Sequence, residues 1–174
     1  NNVQVRNSAG NTTVHTTLPN TIQIDLQNGT NYLNVTGTDL NNVSTITFNH
    51  QPDANMPLII NIDASGLFNW NVWQQNNVAL VQSSYILYNF YNTTELHIEG
   101  NQTVAGTIMA PFANITKTIN SANILGQVIG TSLIQNGGDI ECANFNTEVD
   151  APAPAGVAPL SEFTVNDNEC LTGN

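Results

Sequence analysis

The chain of 174 residues carries thirteen acids against two fixed cations, a formal net charge of −11, with 9% of residues charged and 40% hydrophobic. That is one domain's length, with enough apolar residues for a core that does not depend on disulfides. Nucleic-acid binding needs Lys and Arg to neutralise phosphates, so Arg6 and Lys117 alone exclude it and disfavour an anionic membrane surface, and no run approaches the roughly 18 apolar residues of a membrane span.

With so few charges, the polar surface must be built from Asn, Thr, Ser and Gln, a composition that suits an extracellular β-structure better than a cytoplasmic enzyme. All this Asn suits turns, where it tolerates left-handed backbone; side-chain ladders and carbohydrate contact are the functional alternatives. No basic and then apolar leader opens the sequence as written, so the expected form is one from which any signal peptide has been removed.

From the N-terminus, residues 1–20 alternate at Val3, Val5 and Val14, which predicts an edge strand, a turn at Ser8-Ala9-Gly10 and a second strand ended by Pro19. Thr21 to Leu26 alternates strictly, with Ile22, Ile24 and Leu26 on one face; Asn28-Gly29 is a turn signal, and the strand resumes over Tyr32 to Val35. Asn41 to Phe48 alternates again, His50 to Met56 reads as a loop, and Leu58 to Ile62 is the most buried-looking strand of the first half. Residues 67–84 break the pattern. Phe68, Trp70, Val72 and Trp73 crowd together there, and Val78 to Ser84 fits either a short helix or an extended strand and loop. Trp70 and Trp73 have two readings: an exposed platform that stacks on sugar rings, or packing in the core or over the end of a stack. The second is favoured, because buried aromatics are the commoner case.

Tyr85 to Glu141 organises the rest. Short apolar runs such as Ile86-Leu87, Ile108-Met109, Val128-Ile129 and Leu133-Ile134 recur every few residues, separated by Gly100, Gly106, Gly126, Gly130 and Gly137-Gly138. Each run is too short for a helix and ends where Gly permits a turn, so the runs read as strands. Their short, even spacing suits strands stacked one upon another rather than a sandwich with long hairpins. The expected fold is all-β, a single β-helix or solenoid-like domain over residues 1–149. After it come a Pro/Ala-rich extended linker over 150–160 and a C-terminal strand and tail over 161–174. Glu162, Phe163, Thr164 and Val165 form a strand that can return to its own domain or pair with a neighbouring molecule's sheet edge, which would make a polymer.

Several of these runs carry a family resemblance. Tyr85-Ile-Leu-Tyr-Asn-Phe90, Thr94-Glu-Leu-His-Ile-Glu-Gly100, Gly106-Thr-Ile-Met-Ala-Pro-Phe-Ala-Asn-Ile115, Gly126-Gln-Val-Ile-Gly130 and Gly137-Gly-Asp-Ile-Glu141 follow one another in the order and spacing of the choice-of-anchor A family. Asn31 to Leu40 and Pro57 to Ile62 extend the resemblance to roughly residues 22–146. It implies a β-helical adhesive module, secreted or held at a bacterial surface and sometimes labelled collagen-binding-like. It brings no catalytic residues.

The chemistry-bearing residues are few. Cys142 and Cys170, an even count in a chain read as secreted, predict a disulfide worth about 3–4 kcal/mol on the chain-entropy model; two unpaired or intermolecular thiols are the alternative. His15, His50 and His97 lie far from both cysteines, so no metal motif forms. Asp63, Asp139 and Glu141, or Asp167 with Glu169, offer oxygen ligands for calcium, without an EF-hand or nonapeptide repeat to place them; no cofactor is expected. A glycosidase needs two carboxylates roughly 5–10 Å apart, and Glu95 with Glu99, or Asp139 with Glu141, share only strand parity. A lyase needs a strong base and cations that the chain lacks, and no G-x-S-x-G, H-E-x-x-H, P-loop or G-x-G-x-x-G occurs. Thr36-Gly-Thr38, Thr45-Ile-Thr47 and Thr116-Lys-Thr118 have the Thr-x-Thr form of ice-binding surfaces but no fixed period.

The sequence reading is thus an extracellular adhesive or structural protein of a surface or matrix, not an enzyme. Its ligand would be an extracellular matrix component or a polysaccharide. One alternative is a self-assembling filament subunit, a homo-oligomer or polymer joined by the tail strand or by disulfides. The other is a carbohydrate-binding or carbohydrate-active module that uses Trp70 and Trp73.

Overall fold

The computed structural model describes residues 4–7, 9–10, 18–118 and 121–147. The Pro/Ala-rich linker, the tail strand Glu162 to Val165, Cys170, and Asp167 with Glu169 lie outside the described residues. In chain order the first elements are β1 (Gln4–Asn7), β2 (Thr21–Asp25), β3 (Asn31–Thr36), α1 (Gly37–Asn42), β4 (Thr45–Phe48), β5 (Leu58–Asp63), β6 (Gly66–Asn71) and β7 (Gln74–Asn76). They are followed by α2 (Leu80–Ser83), β8 (Ile86–Asn89), β9 (Thr93–Glu99), β10 (Val104–Ala105), β11 (Thr107–Lys117), β12 (Ile124–Leu125), β13 (Val128–Gln135) and β14 (Ile140–Glu141).

The class is all-β, and apart from the antiparallel β1–β2 pair every strand pairing is parallel. One sheet runs β1-β2-β4-β7, a second β10-β12-β14, and the third β3-β5-β8-β11-β9-β6 with β13 also on β11. Parallel neighbours need a long crossover between them, and here each crossover passes through the other sheets, so later segments are laid beside earlier ones in register. Leu58 sits beside Asn31 and Ile86 beside Leu58. β11 joins two parts of the large sheet. Its Thr107 to Met109 pair with β8, its Asn114 to Lys117 pair with β9, and β13 follows it along both parts with an irregularity between Ala110 and Asn114.

The alternation read in the sequence decides which side chains fill the interior. Ile22, Ile24, Leu33, Val35, Ile46, Phe48, Leu58, Ile60 and Ile62 are all buried in one core. Each such side chain contributes roughly 1.5–3 kcal/mol by leaving water. The middle of the core is aromatic: the Trp70 ring lies 5.0 Å from Tyr88 and 5.4 Å from Phe90, and Trp73 lies 6.2 Å from Tyr88. Towards the end of the described chain the core holds no rings, and Ala110, Ala113 and Ala122 share it with Ile108, Ile115 and Ile124. There the backbones come close enough to require glycine: a Cβ on Gly126 would lie 2.2 Å from the Gly106 carbonyl oxygen.

Two elements differ from the sequence reading. Asn41 and Asn42, read as the start of a strand, close α1, whose N-terminus is capped by Thr36 accepting from the Asp39 amide at 3.1 Å. The start of the 67–84 stretch read as a break belongs to β6, with Phe68 and Trp70 turned inward at period two. The crowding of large rings hid that alternation.

Candidate functional site

Trp70 and Trp73 are 0% and 1% exposed. Neither ring presents a platform to a ligand; both belong to the aromatic core, which corrects the sugar-platform reading of these two residues.

The surface instead offers an open groove of about 620 Å³ lined by Asn34, Val35, Thr36, Asp39, Asn61, Asp63 and Tyr91. Strand geometry builds it. On β3 the outward positions are Asn34 and Thr36, and on β5 they are Asn61 and Asp63; parallel register sets Asn34 beside Asn61 and Thr36 beside Asp63. The Asn61 amide donates to the Asn34 side-chain oxygen at 2.8 Å, and Asn89 on β8 donates to Asn61 at 2.9 Å. Three asparagines from three successive strands therefore form a ladder, an arrangement available only where identical amides stack in parallel register.

Beside the ladder, the Thr36 hydroxyl donates to the Asp39 carboxylate at 2.8 Å, and Asn92 donates to Asp63 at 2.6 Å. Tyr91, in the turn between β8 and β9, is 45% exposed. Its hydroxyl pKa is raised above the ordinary value, first by partial burial and then by the negative charge of Asp63. A smaller recess of about 230 Å³, lined by Gly37, Thr38, Asn41 and Phe68 among others, shares Thr36 and Asp63 with the groove and extends it.

Side-chain amides also replace backbone pairing where strands end. The Gln75 side chain accepts from the Ala105 amide at 2.7 Å and donates to the Ala105 carbonyl at 3.1 Å, linking the β7 edge to β10. Asn41 does the same for β6, donating to the Asn69 carbonyl and accepting from the Asn71 amide. Asn31, fully buried, donates to Gln27, Gly29 and Pro57 carbonyls and accepts from the Gln27 amide. The asparagine content thus serves turns at Asn31 and strand-to-strand ladders at Asn34, Asn61 and Asn89.

Other sequence candidates are dispersed. Glu95 bonds to the His97 ring at 2.9 Å, and Glu141 accepts from Asn123 at 2.7 Å. Among the described residues no three His, Cys, Asp or Glu side chains converge on a metal-sized site. The three Thr-x-Thr pairs form no common array. Thr36 caps α1, Thr45 and Thr47 lie on β4, and Thr118 donates to the Ile98 carbonyl beside the buried Lys117. Cys142 follows β14, and its expected partner Cys170 lies outside the described residues. No described helix is long and apolar enough to cross a membrane.

The described residues thus form an all-β domain with an amide-laddered outer face and an open polar groove. Residues 2–142 match the family described as Putative Ice-binding-like adhesive domain, and the chain belongs to that family. No curated protein and no solved structure matches the chain.

Proposed function

We propose that this chain is an extracellular adhesive domain of the choice-of-anchor A type, built as a β-solenoid and working without catalysis. The observation that carries the reading is the asparagine ladder bordering an open groove, in a chain whose family is adhesive. Parallel strands laid in register by successive chain segments support the solenoid reading, and the Tyr85 to Glu141 runs support the narrower family. Asp39, Asp63, Glu95 and Glu141 are tied to neighbouring amides, a hydroxyl or a ring, which suits a fixed binding surface rather than turnover. The disulfide between Cys142 and Cys170 is part of the proposal.

Beads coated with the chain test the adhesive reading. Under flow they are expected to remain on collagen-coated or polysaccharide-coated glass well beyond albumin-coated beads. Equal loss of both bead types on every surface would contradict it. Incubation with a polysaccharide panel is expected to release no new reducing ends.

A second reading, a filament subunit, rests on β13. This strand pairs only with β11 among the described strands, is exposed along most of its length, and carries Leu133 and Ile134 at 41% and 58% exposure with no charged residue. Natural edges are normally blunted by charge, proline or a bulge. Negative-stain microscopy would show fibres that Leu133→Lys or deletion of residues 151–174 dissolves; a strict monomer at all concentrations sinks this reading.

A further inference from the structure

We propose that the groove between β3, β5 and the Tyr91 turn is a subsite for an uncharged pyranose saccharide, with the Tyr91 ring as its stacking face. The inference rests on the adhesive reading and names its ligand class.

Among the rings near this surface, Phe68 in the adjoining recess is partly buried. Tyr88, Phe90, Trp70 and Trp73 are buried, whereas Tyr91 is 45% exposed at the groove wall. A sugar ring has an apolar face of C–H groups and a rim of hydroxyls, so a site for it needs one flat apolar surface beside fixed polar groups. Tyr91 supplies the surface. Its hydroxyl end lies beside the Asp63 charge, and Asn92 donates to Asp63, so the ring and carboxylate form one positioned unit.

The polar groups are fixed before a ligand arrives. Thr36 holds Asp39, Asn92 holds Asp63, and the ladder sets the plane of Asn61. Each carboxylate has acceptor sites beyond the one bond described, which suits a pair of neighbouring hydroxyl donors. Asn61 spends one hydrogen and one lone pair on the ladder and has a second of each to offer a hydroxyl. Such pre-positioning lowers the ordering cost that usually keeps saccharide affinity weak.

Charge decides the class of saccharide. Asp39 and Asp63 line the groove, and among the described residues no Lys, Arg or His does. A uronate or sulfated chain would place like charge against two carboxylates with no cation to offset it, whereas a neutral hydroxyl rim meets only acceptors and amides. The recess that shares Thr36 and Asp63 lengthens the groove, which favours an oligosaccharide over a single sugar.

Amide spectra of the full chain titrated with neutral hexasaccharides (cellohexaose, mannohexaose and N-acetylchitohexaose) provide the test, with hexagalacturonate as the anionic comparison. At least one neutral series is expected to shift the signals of Asn34, Asn61, Asp63 and Tyr91 at concentrations up to about 10 mM, and hexagalacturonate none of them. Tyr91→Ala should weaken that binding about tenfold with an otherwise unchanged spectrum, while Tyr91→Phe retains it. No shift with any neutral series, equal shifts with hexagalacturonate, or wild-type affinity in Tyr91→Ala would overturn the proposal. Because Tyr91 is exposed, loss of fold in the alanine variant is unexpected; were it seen, the Tyr91→Phe and hexagalacturonate arms would still decide. Bead retention without saccharide shifts defeats this inference and leaves the adhesive reading standing; shifts without retention do the reverse.

Discussion

The first and last parts of the described chain use one kind of strand pairing at two widths. In the first part, a ladder partner lies 27 or 28 residues further on, as from Asn34 to Asn61 and from Asn61 to Asn89. In the last part the spacing falls to 18 residues between Asn114 and Ser132 and to 16 between Asn123 and Asp139. The interior changes with it. Where the spacing is wide the core holds Trp70, Trp73, Tyr88 and Phe90; where it is short the core holds Ala110, Ala113 and Ala122 with Ile108, Ile115 and Ile124, and glycine where backbones approach.

The ends also differ in how they finish. At the start, β1 lies antiparallel on β2, and α1 sits beside β6, whose backbone Asn41 engages. At the other end β13 carries an inward-register residue, Leu133, that is 41% exposed, and Lys117 is buried with its ammonium donating to the Gly137 carbonyl. Burial lowers the Lys117 pKa, and Asp139 opposes that shift. The groove belongs to the wide, covered part; the open edge belongs to the narrow one.

The largest expected effect comes from emptying the wide interior. Trp70→Ala should cost about 3–5 kcal/mol in urea unfolding, because the surrounding rings cannot collapse onto the void. A cost near 1 kcal/mol would mean that the aromatic layer is loosely packed. Filling the narrow interior comes next. Gly126→Ala drives a methyl against the Gly106 carbonyl, a backbone atom, and should cost about 2–3 kcal/mol. The same change at Gly29, where φ is +92° but nothing lies within 4 Å, should cost only its backbone strain. If the two variants unfold alike, close approach does not define the narrow part.

Cutting the ladder is milder. Asn61→Ala removes a donor to Asn34 and an acceptor from Asn89 on a face that water reaches, and about 1 kcal/mol is expected. The smallest effect is the Arg6–Asp25 pair at the β1–β2 edge. The Arg6 side chain, and after it Asn49, hold the Asp25 pKa below its ordinary 3.8. A depressed carboxyl pKa stabilises the fold fully above that ordinary value, and the contribution disappears as pH falls through the lower folded value. Both side chains are partly exposed, so the contribution should stay under about 1 kcal/mol. Asp25→Asn should flatten the loss of stability as pH falls below about 4 and leave neutral pH nearly unchanged.

Much of the architecture was legible in the sequence. The alternation of Ile22, Ile24 and Leu26, the apolar run Leu58 to Ile62 and the Asn28-Gly29 turn are local signals, and each is found as read, with Gly29 at φ +92°. The cap of α1 was also local, in Thr36 three residues before Asp39, but the alternation beginning at Asn41 masked it. The groove was not legible. Asn34 on β3, Asn61 and Asp63 on β5, and Tyr91 after β8 are separated by long crossovers, and only the parallel register sets Asn34 beside Asn61 and Thr36 beside Asp63. Trp70 and Trp73 left two readings open, with packing favoured over a platform, and both are found in the core.

Residue-by-residue amide hydrogen exchange on the dilute monomer most directly tests the central claim, that the wide part is a closed, laddered scaffold and the narrow end an open edge. Amides of β5, β8 and β9, each paired on both sides, should exchange near the rate of global unfolding, while the amides of β13 that point away from β11 exchange as freely as a loop. Protection of those β13 amides equal to that of β8 would contradict the open edge, and rapid exchange throughout β5 and β8 would contradict the scaffold itself.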